Sequence, residues 1–263
     1  MFYIIFRFAK EYKHKKKLFN YLQNVGCEKL IKNLWKLPYG SVKRVKKQLN
    51  IHSVPYILLK RQRALEKSIR SQHDFRLGSL VLVAYSFPLD KSSISTRKYV
   101  SRLLRRSPYL KITRNIYAWP QINFKKLIPQ GSKIISPKQF LDGIKELGGE
   151  TIIVSRIIVE EKIGLELIET VKDIRANEFA SIELACKKLT QQLRESAISV
   201  FKAKHSFNEL KIRFIQTKEI SFFLKRIYKL DLMKEYRKTL RAINNCKKVL
   251  LIQSKMPTVS VAD

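Results

Sequence analysis

Three runs of basic side chains carry the chemistry most directly readable from this chain. Lys13, Lys15, Lys16 and Lys17 precede Leu18, Phe19 and Leu22. Lys43, Arg44, Lys46 and Lys47 fill the positions left by Val42, Val45 and Leu49, and Arg97, Lys98, Arg102, Arg105 and Arg106 surround Tyr99, Val100, Leu103 and Leu104. The apolar members recur three and four residues apart, so each run reads as a helix with one apolar and one cationic face. Charge runs usually make a solvated face, but such faces mix signs, and these three contain no acid. Ammonium and guanidinium groups gathered without carboxylates suit phosphate, because each neutralised phosphate of a duplex releases condensed counterions. These residues, with Arg61 and Arg63, are the candidate nucleic-acid contacts.

Other chemistries find less support. His14, His52, His73 and His205 lie far apart, and no HExxH or clustered Cys/His spacing suits a metal. There is no GxxxxGK[ST] or GxGxxG loop and no GxSxG nucleophile motif; Leu147-Gly148-Gly149-Glu150 reads as a helix stop. Cys27, Cys186 and Cys246 are too widely spaced for a disulfide framework and read as packing residues of a reducing compartment. The expectation is a protein with no catalytic residue, metal or cofactor.

The whole composition points the same way. Against 54 Lys and Arg stand 21 Asp and Glu, a formal net charge of +33 on 263 residues. Residues 1–78 carry 19 basic and 4 acidic side chains, residues 79–160 carry 14 and 5, and residues 161–263 carry 21 and 12. So much like charge repels itself in a compact state, and a polyanion relieves that cost. The 45% of hydrophobic residues supply a core, and eight Gly with eight Pro exclude a low-complexity chain. No apolar stretch approaches the ~20 residues of a membrane span. Phe2–Phe6 is too short, and too soon followed by Arg7 and Lys10, for a signal peptide. We therefore expect a soluble cytoplasmic protein whose partner is nucleic acid, DNA in preference to RNA, and not a membrane.

An internal repeat organises the chain. Phe2-Tyr3-Ile4-Ile5-Phe6-Arg7-Phe8 and Leu80-Val81-Leu82-Val83-Ala84-Tyr85-Ser86-Phe87 both read as buried strands. Each is followed by a basic helix, a second strand, and a shared hexapeptide: Asn33-Leu34-Trp35-Lys36-Leu37-Pro38 or Asn115-Ile116-Tyr117-Ala118-Trp119-Pro120. Both tryptophans fall inside these hexapeptides. Ser41 and Ser136-Pro137 then start a helix in each copy, and Pro55–Leu59 and Thr151–Val154 begin the last strands. The order β-α-β, a variable strand region, then α-β predicts an α+β protein with two tandem ferredoxin-like (split βαβ) modules. Helices cover one face of each sheet; the other faces can bury each other. The modules are assigned to residues 1–60 and 79–160, with residues 61–78 as a basic helical linker. Within 28–60 a winged helix is a second reading: Glu28–Lys36 a helix, Ser41–Asn50 the recognition helix, Tyr56–Lys60 a wing.

Residues 161–255 read as an all-helical extension and 256–263 as a flexible tail. Phe179, Ile182, Cys186, Leu189 and Leu193 form a seam of three- and four-residue spacing. We read it as intramolecular packing, with a homodimer surface as the alternative. A second helix is expected from Asn208 to about Tyr228, after a break near His205-Ser206-Phe207, and a third from Leu232 to Ile252.

Three stretches carry a family resemblance. They are Tyr85-Ser86-Phe87-Pro88 with Asn115–Pro120; Leu147-Gly148-Gly149-Glu150-Thr151 leading into Arg175-Ala176-Asn177-Glu178-Phe179-Ala180-Ser181-Ile182; and Leu210–Phe214 through Ile220-Ser221-Phe222-Phe223. In their order and spacing, residues 79–250 resemble the N-terminal domain of ChrB-type chromate-resistance regulators, and are similar in layout to PaaX-type repressors. The resemblance implies a ferredoxin-like core with a helical extension and a role in transcriptional control. The family's further C-terminal chromate-resistance domain has no counterpart in these residues, so chromate sensing is not carried across. The modules also resemble small CRISPR-associated metal-dependent nucleases, which place an aspartate near the end of the first strand. Arg7 and Ser86 occupy that region here, and neither replaces a hard anionic ligand. The rival to a DNA-binding regulator is an RNA-associated structural protein, for which Tyr3, Trp35, Tyr117 and Trp119 would be stacking candidates.

Overall fold

The computed structural model describes residues 1–8, 15–70, 75–128 and 130–254. The first copy runs β1 (Phe2–Phe6), α1 (Lys15–Asn24), β2 (Glu28–Ile31), β3 (Leu34–Leu37), α2 (Val42–Ile51) and β4 (Tyr56–Arg61). A short pair, β5 (Ile69–Arg70) and β6 (Phe75–Arg76), separates it from the second copy. That copy runs β7 (Leu80–Ser86), α3 (Ile94–Arg105), β8 (Leu110–Thr113), β9 (Ile116–Pro120), the single turn α4 (Phe124–Leu127), α5 (Pro137–Glu146) and β10 (Glu150–Val159).

The repeated hexapeptide turns out to be a hairpin turn plus the strand after it. Asn33 (φ 71°) and Asn115 (φ 68°) both sit in the left-handed region at two-residue turns, a conformation Asn tolerates better than most side chains. The Phe6 amide donates to the Asn33 carbonyl at 3.0 Å, and the Tyr85 amide donates to the Asn115 carbonyl at 3.1 Å. The following register is shared too: Ile4 faces Trp35 as Val83 faces Tyr117, and Phe2 faces Leu37 as Val81 faces Trp119. Glu28–Ile31 and Leu34–Leu37 are thus strands, and the winged-helix reading of 28–60 fails because Asn33 turns the chain where that helix would continue.

All eight long strands join one antiparallel sheet in the order β2-β3-β1-β4-β10-β7-β9-β8. Counted inward to outward, the two halves repeat one order, β4-β1-β3-β2 and β10-β7-β9-β8. On one face Ile4, Phe6, Trp35 and Leu37 pack with Leu18 and Leu22 of α1 and Val45 and Leu49 of α2. On the same face of the second half, Val83, Tyr85, Tyr117 and Trp119 pack with Val100 of α3 and Phe140, Leu141 and Ile144 of α5. The opposite face is buried as well: Ile5, Leu34, Ile57 and Leu59 in one half, and Leu80, Leu82, Ala84, Ile116 and Ala118 in the other, expose 1% or less. What covers it follows from the strand order. Five inter-strand steps of about 4.8 Å would hold β2 ~24 Å from β7 in a flat sheet, yet the two strands approach each other. The sheet is rolled, and its open faces turn toward one another.

β10 makes the corner. Glu150–Val154 pair with β7 and Ile157–Val159 pair with β4, with a register shift between Val154 and Ile157 and Arg156 at φ 59°. Such a bulge bends a strand and steepens its twist. The expected helical linker over 61–78 is not helical where described. The Gln62 amide donates to Arg156 O at 2.9 Å, Arg156 Nη1 to Arg63 O at 2.8 Å, and the Ser79 amide to Glu66 O at 2.8 Å. These bonds consume backbone groups that a helix would pair internally, and the segment lacks a helical apolar period. Gly78 is needed here: at φ +72°, a Cβ would lie 2.6 Å from Ser68 N and 2.7 Å from Glu66 O.

Met1–Gln130 and Ile135–Val171 form one compact unit; Gly131–Ile134 and Lys172–Asp263 form a second. The helices there are α6 (Glu161–Arg194, which begins in the first unit), α7 (Val200–Tyr228) and α8 (Met233–Gln253). The seam Phe179, Ile182, Cys186, Leu189 and Leu193 is buried, which removes it as a homodimer surface. The Phe179 ring meets Phe214 at 6.3 Å and Tyr236 at 6.4 Å, and the Thr239 hydroxyl donates to Phe179 O at 3.2 Å. The helix break lies at Glu195–Ser199, not at His205-Ser206-Phe207. Ser196 takes φ 55° and Ser199 caps α7 by accepting from the Lys202 amide, whereas Phe207 is a buried mid-helix residue. The tail 256–263 lies outside the described residues. Among the described residues no helix is long and apolar enough to cross a membrane.

Candidate nucleic-acid interface

The basic helices form because their apolar residues have a sheet to cover. In α2, Val45 and Leu49 are buried at 1% and 0% exposure, which fixes Lys43, Arg44 and Lys47 outward. Burying two such side chains contributes roughly 3–6 kcal/mol, well above the cost of the unfavourable charges beside them. Those charges are unfavourable because α1 and α2 carry Lys and Arg, and no acid, in their first turns. The helix macrodipole presents partial positive charge there, so each cation costs about 0.3–1 kcal/mol at low salt. Ser41 does not relieve this: its hydroxyl donates to Pro38 O at 2.9 Å instead of capping the helix. Ser136, by contrast, completes a capping box with Gln139 at the start of α5.

The structure places the described site residues in three helical groups and one pair at a strand junction. Lys16 and Lys17 are exposed at the start of α1, and Lys15 lies 5.4 Å over the Phe8 ring; Lys13 lies outside the described residues. Lys43, Arg44 and Lys47 are exposed on α2 of the same outer layer. β1 leads into α1 and β3 into α2 from opposite ends of the sheet, so these two groups sit about one five-residue strand, ~17 Å, apart. Arg97, Lys98, Arg102 and Arg105 are exposed along α3 on the other half of the sheet. Arg106 is half-buried at the end of α3, where its carbonyl accepts from the Ile135 amide at 2.7 Å. Arg61 and Arg63 belong to neither helical layer; they lie at the β4–β10 junction.

Acidic neighbours cancel little of this field. Lys46 Nζ is 3.9 Å from Glu160, both well exposed, a pair worth ~0–1 kcal/mol. Arg7 pairs with Glu166. Among the described residues, no ion pair involves Lys43, Arg44, Lys47, Lys98, Arg102 or Arg105. α5, packed beside α3, mixes signs through Lys138, Asp142, Lys145 and Glu146 and has no comparable field.

Two further exposed cations escaped the sequence reading. Lys32 and Arg114 are exposed at equivalent hairpin tips, each immediately before the repeated Asn. That position in the repeat was the available signal.

No family model, curated protein or solved structure matches this chain.

The stacking candidates are inside. Tyr3, Trp35, Tyr117 and Trp119 expose 4%, 0%, 7% and 0%, so none offers a ring face to a base. Burial pushes the Tyr85 and Tyr117 hydroxyls well above the usual phenol range; the two are hydrogen-bonded to each other and remain neutral core groups. Ser86 accommodates Glu150 through a 3.1 Å hydrogen bond, and Asp90 is exposed in the turn Leu89–Lys91. Among the described residues no three His, Cys, Asp or Glu side chains are grouped as a metal site would need.

Proposed function

We propose that this is a non-enzymatic nucleic-acid-binding protein, a DNA-binding transcriptional regulator of the kind its sequence resembles, ChrB and PaaX. Its scaffold is two tandem ferredoxin-like modules, and its contact surface is the cationic helical layer. The observation that carries the reading is the set Lys43, Arg44 and Lys47: exposed, unopposed by acid among the described residues, and with Lys43 and Arg44 held in the first turn of α2. A row of cations placed where it costs helix stability has a physical reason if phosphates neutralise it. Duplex DNA is preferred over RNA because single-stranded RNA recognition by a sheet of this kind uses exposed aromatic rings, and the four candidates are buried.

Competition between duplex DNA and folded RNA of equal length, followed over salt, tests the reading. Preference for the duplex, with a steep fall of affinity as salt rises, is the expected result. Tighter binding to folded RNA moves the protein to the RNA-associated class. No salt-dependent binding to either removes the proposal. Sequencing the nucleic acid that co-purifies with the chain separates site-specific from indiscriminate contact.

A further inference from the structure

The rolled sheet has a consequence for how many nucleic-acid strands one chain can hold. α1 and α2 cover the outer face of the first half, and α3 and α5 cover the outer face of the second. Because the open faces turn toward one another, the two helical layers look away from each other. Packed sheet faces stand about 10 Å apart, and each helical layer adds about 10 Å. The cations of α2 and those of α3 are therefore carried on surfaces ~30 Å apart, with an apolar interior between them.

We propose that a single chain bridges two DNA duplexes, one on the Lys43–Arg44–Lys47 face of α2 and one on the Arg97–Lys98–Arg102–Arg105 face of α3. The inference rests on the DNA-binding reading above. Two physical points carry it. First, the faces are electrostatically independent: ~30 Å is several Debye lengths at physiological salt, about 8 Å each. A duplex neutralising one face leaves the other uncompensated. Second, one duplex does not reach both. It would have to double back around the unit within a few tens of base pairs, while DNA is stiff over ~150 bp and resists bending far short of a reversal. A second duplex meets the second face with no such bend. Among the described residues neither face is neutralised from within: the acid that approaches α2 is Glu160, which faces Lys46 rather than the three residues named. The resulting activity is juxtaposition of two DNA segments.

The test uses bead-bound duplex, full-length protein and a second, labelled duplex. The wild-type chain is expected to capture label on the beads, with two duplexes per chain at saturation. Replacing Arg97, Lys98, Arg102 and Arg105 by Gln should leave binding of a single duplex within several-fold while capture falls at least tenfold. The Lys43→Gln, Arg44→Gln, Lys47→Gln variant should behave likewise. A matched loss of four charges on α8, at Lys234, Arg237, Lys238 and Arg241, should keep capture. If the α3 variant captures as well as wild type, bridging comes from self-association through one face and the inference is overturned. Saturation at one duplex with no capture also overturns it, while leaving DNA binding intact. Absence of binding to any duplex would instead remove the DNA-binding reading itself.

Discussion

The charge arrangement on α2 makes a quantitative prediction that depends on geometry. Lys43, Arg44 and Lys47 are exposed without an acidic partner among the described residues, whereas Lys46 faces Glu160 at 3.9 Å. If the first three each neutralise one phosphate, then in a chain whose α3 face is already silenced by Arg97→Gln, Lys98→Gln, Arg102→Gln and Arg105→Gln, and whose unaltered α2 is the wild-type reference, the triple change Lys43→Gln, Arg44→Gln, Lys47→Gln flattens the log-affinity against log-salt slope by ~2.7, at ~0.9 per contact. Over a fourfold rise in salt, each contact is worth ~3.5-fold, so the wild-type advantage shrinks ~40-fold between roughly 50 and 200 mM. Lys46→Gln alone should move the slope by less than one contact, and Glu160→Gln should steepen it by up to ~0.9, since it frees Lys46. Gln keeps a helix propensity close to that of Lys, and two cations leave a first turn where the macrodipole disfavours them, so α2 is not weakened. Fluorescence anisotropy with a labelled duplex at four salt concentrations reads all of these. Parallel lines for wild type and the triple variant would refute the reasoning, because an affinity loss without a slope change means that no phosphate was released.

Other consequences concern the scaffold. Gly78→Ala should destabilise the protein by more than about 2 kcal/mol, because the strain of a left-handed Ala, ~1–2 kcal/mol, is joined by contact with the Glu66–Ser68 backbone. Gly40→Ala, where nothing lies within 4 Å, should show the backbone strain alone; equal midpoints in urea would sink the distinction. Burial pushes the Cys186 thiol up to about 12 from 9.0, with Cys246 adding to the shift. Stability is therefore full below pH ~9 and falls as pH rises toward ~12, because the unfolded thiol loses its proton first; Cys186→Ala should flatten that decline in urea titrations. Arg175 is fully buried and donates to Glu178 at 2.8 Å, so Glu178→Ala should cost about 3 kcal/mol, at the low end for buried pairs because Glu178 is partly exposed. A calorimetric midpoint unchanged from wild type would contradict this.

Much of the fold was legible because its signals are local. The separation of Val45 and Leu49 from Lys43, Arg44 and Lys47 is a matter of helical spacing, and it survives intact. The two hexapeptides marked equivalent hairpins because Asn33 and Asn115 answer the same backbone demand. The linker was misread because charge without an apolar period says little about secondary structure. Its conformation is set in part by bonds to Arg156, which no window around residues 61–78 contains. The misplaced break in the helical extension has a similar cause: His205-Ser206-Phe207 looks like a stop, yet Phe207 is held in the helix by a core supplied from elsewhere.

By itself the sequence determined which side chains are cationic, that no acid interrupts their runs, and that one strand-helix pattern occurs twice, since all three are properties of composition and short spacing. Tertiary structure alone decided that β4 and β10 join the copies into one sheet, that the bulge at Arg156 rolls it, and that the α2 and α3 charges consequently look in different directions. The reason is separation along the chain. Leu59 pairs with Val159, and Lys46 meets Glu160, across roughly a hundred residues. Such pairings are selected by burial of whole faces, a quantity that no single segment carries.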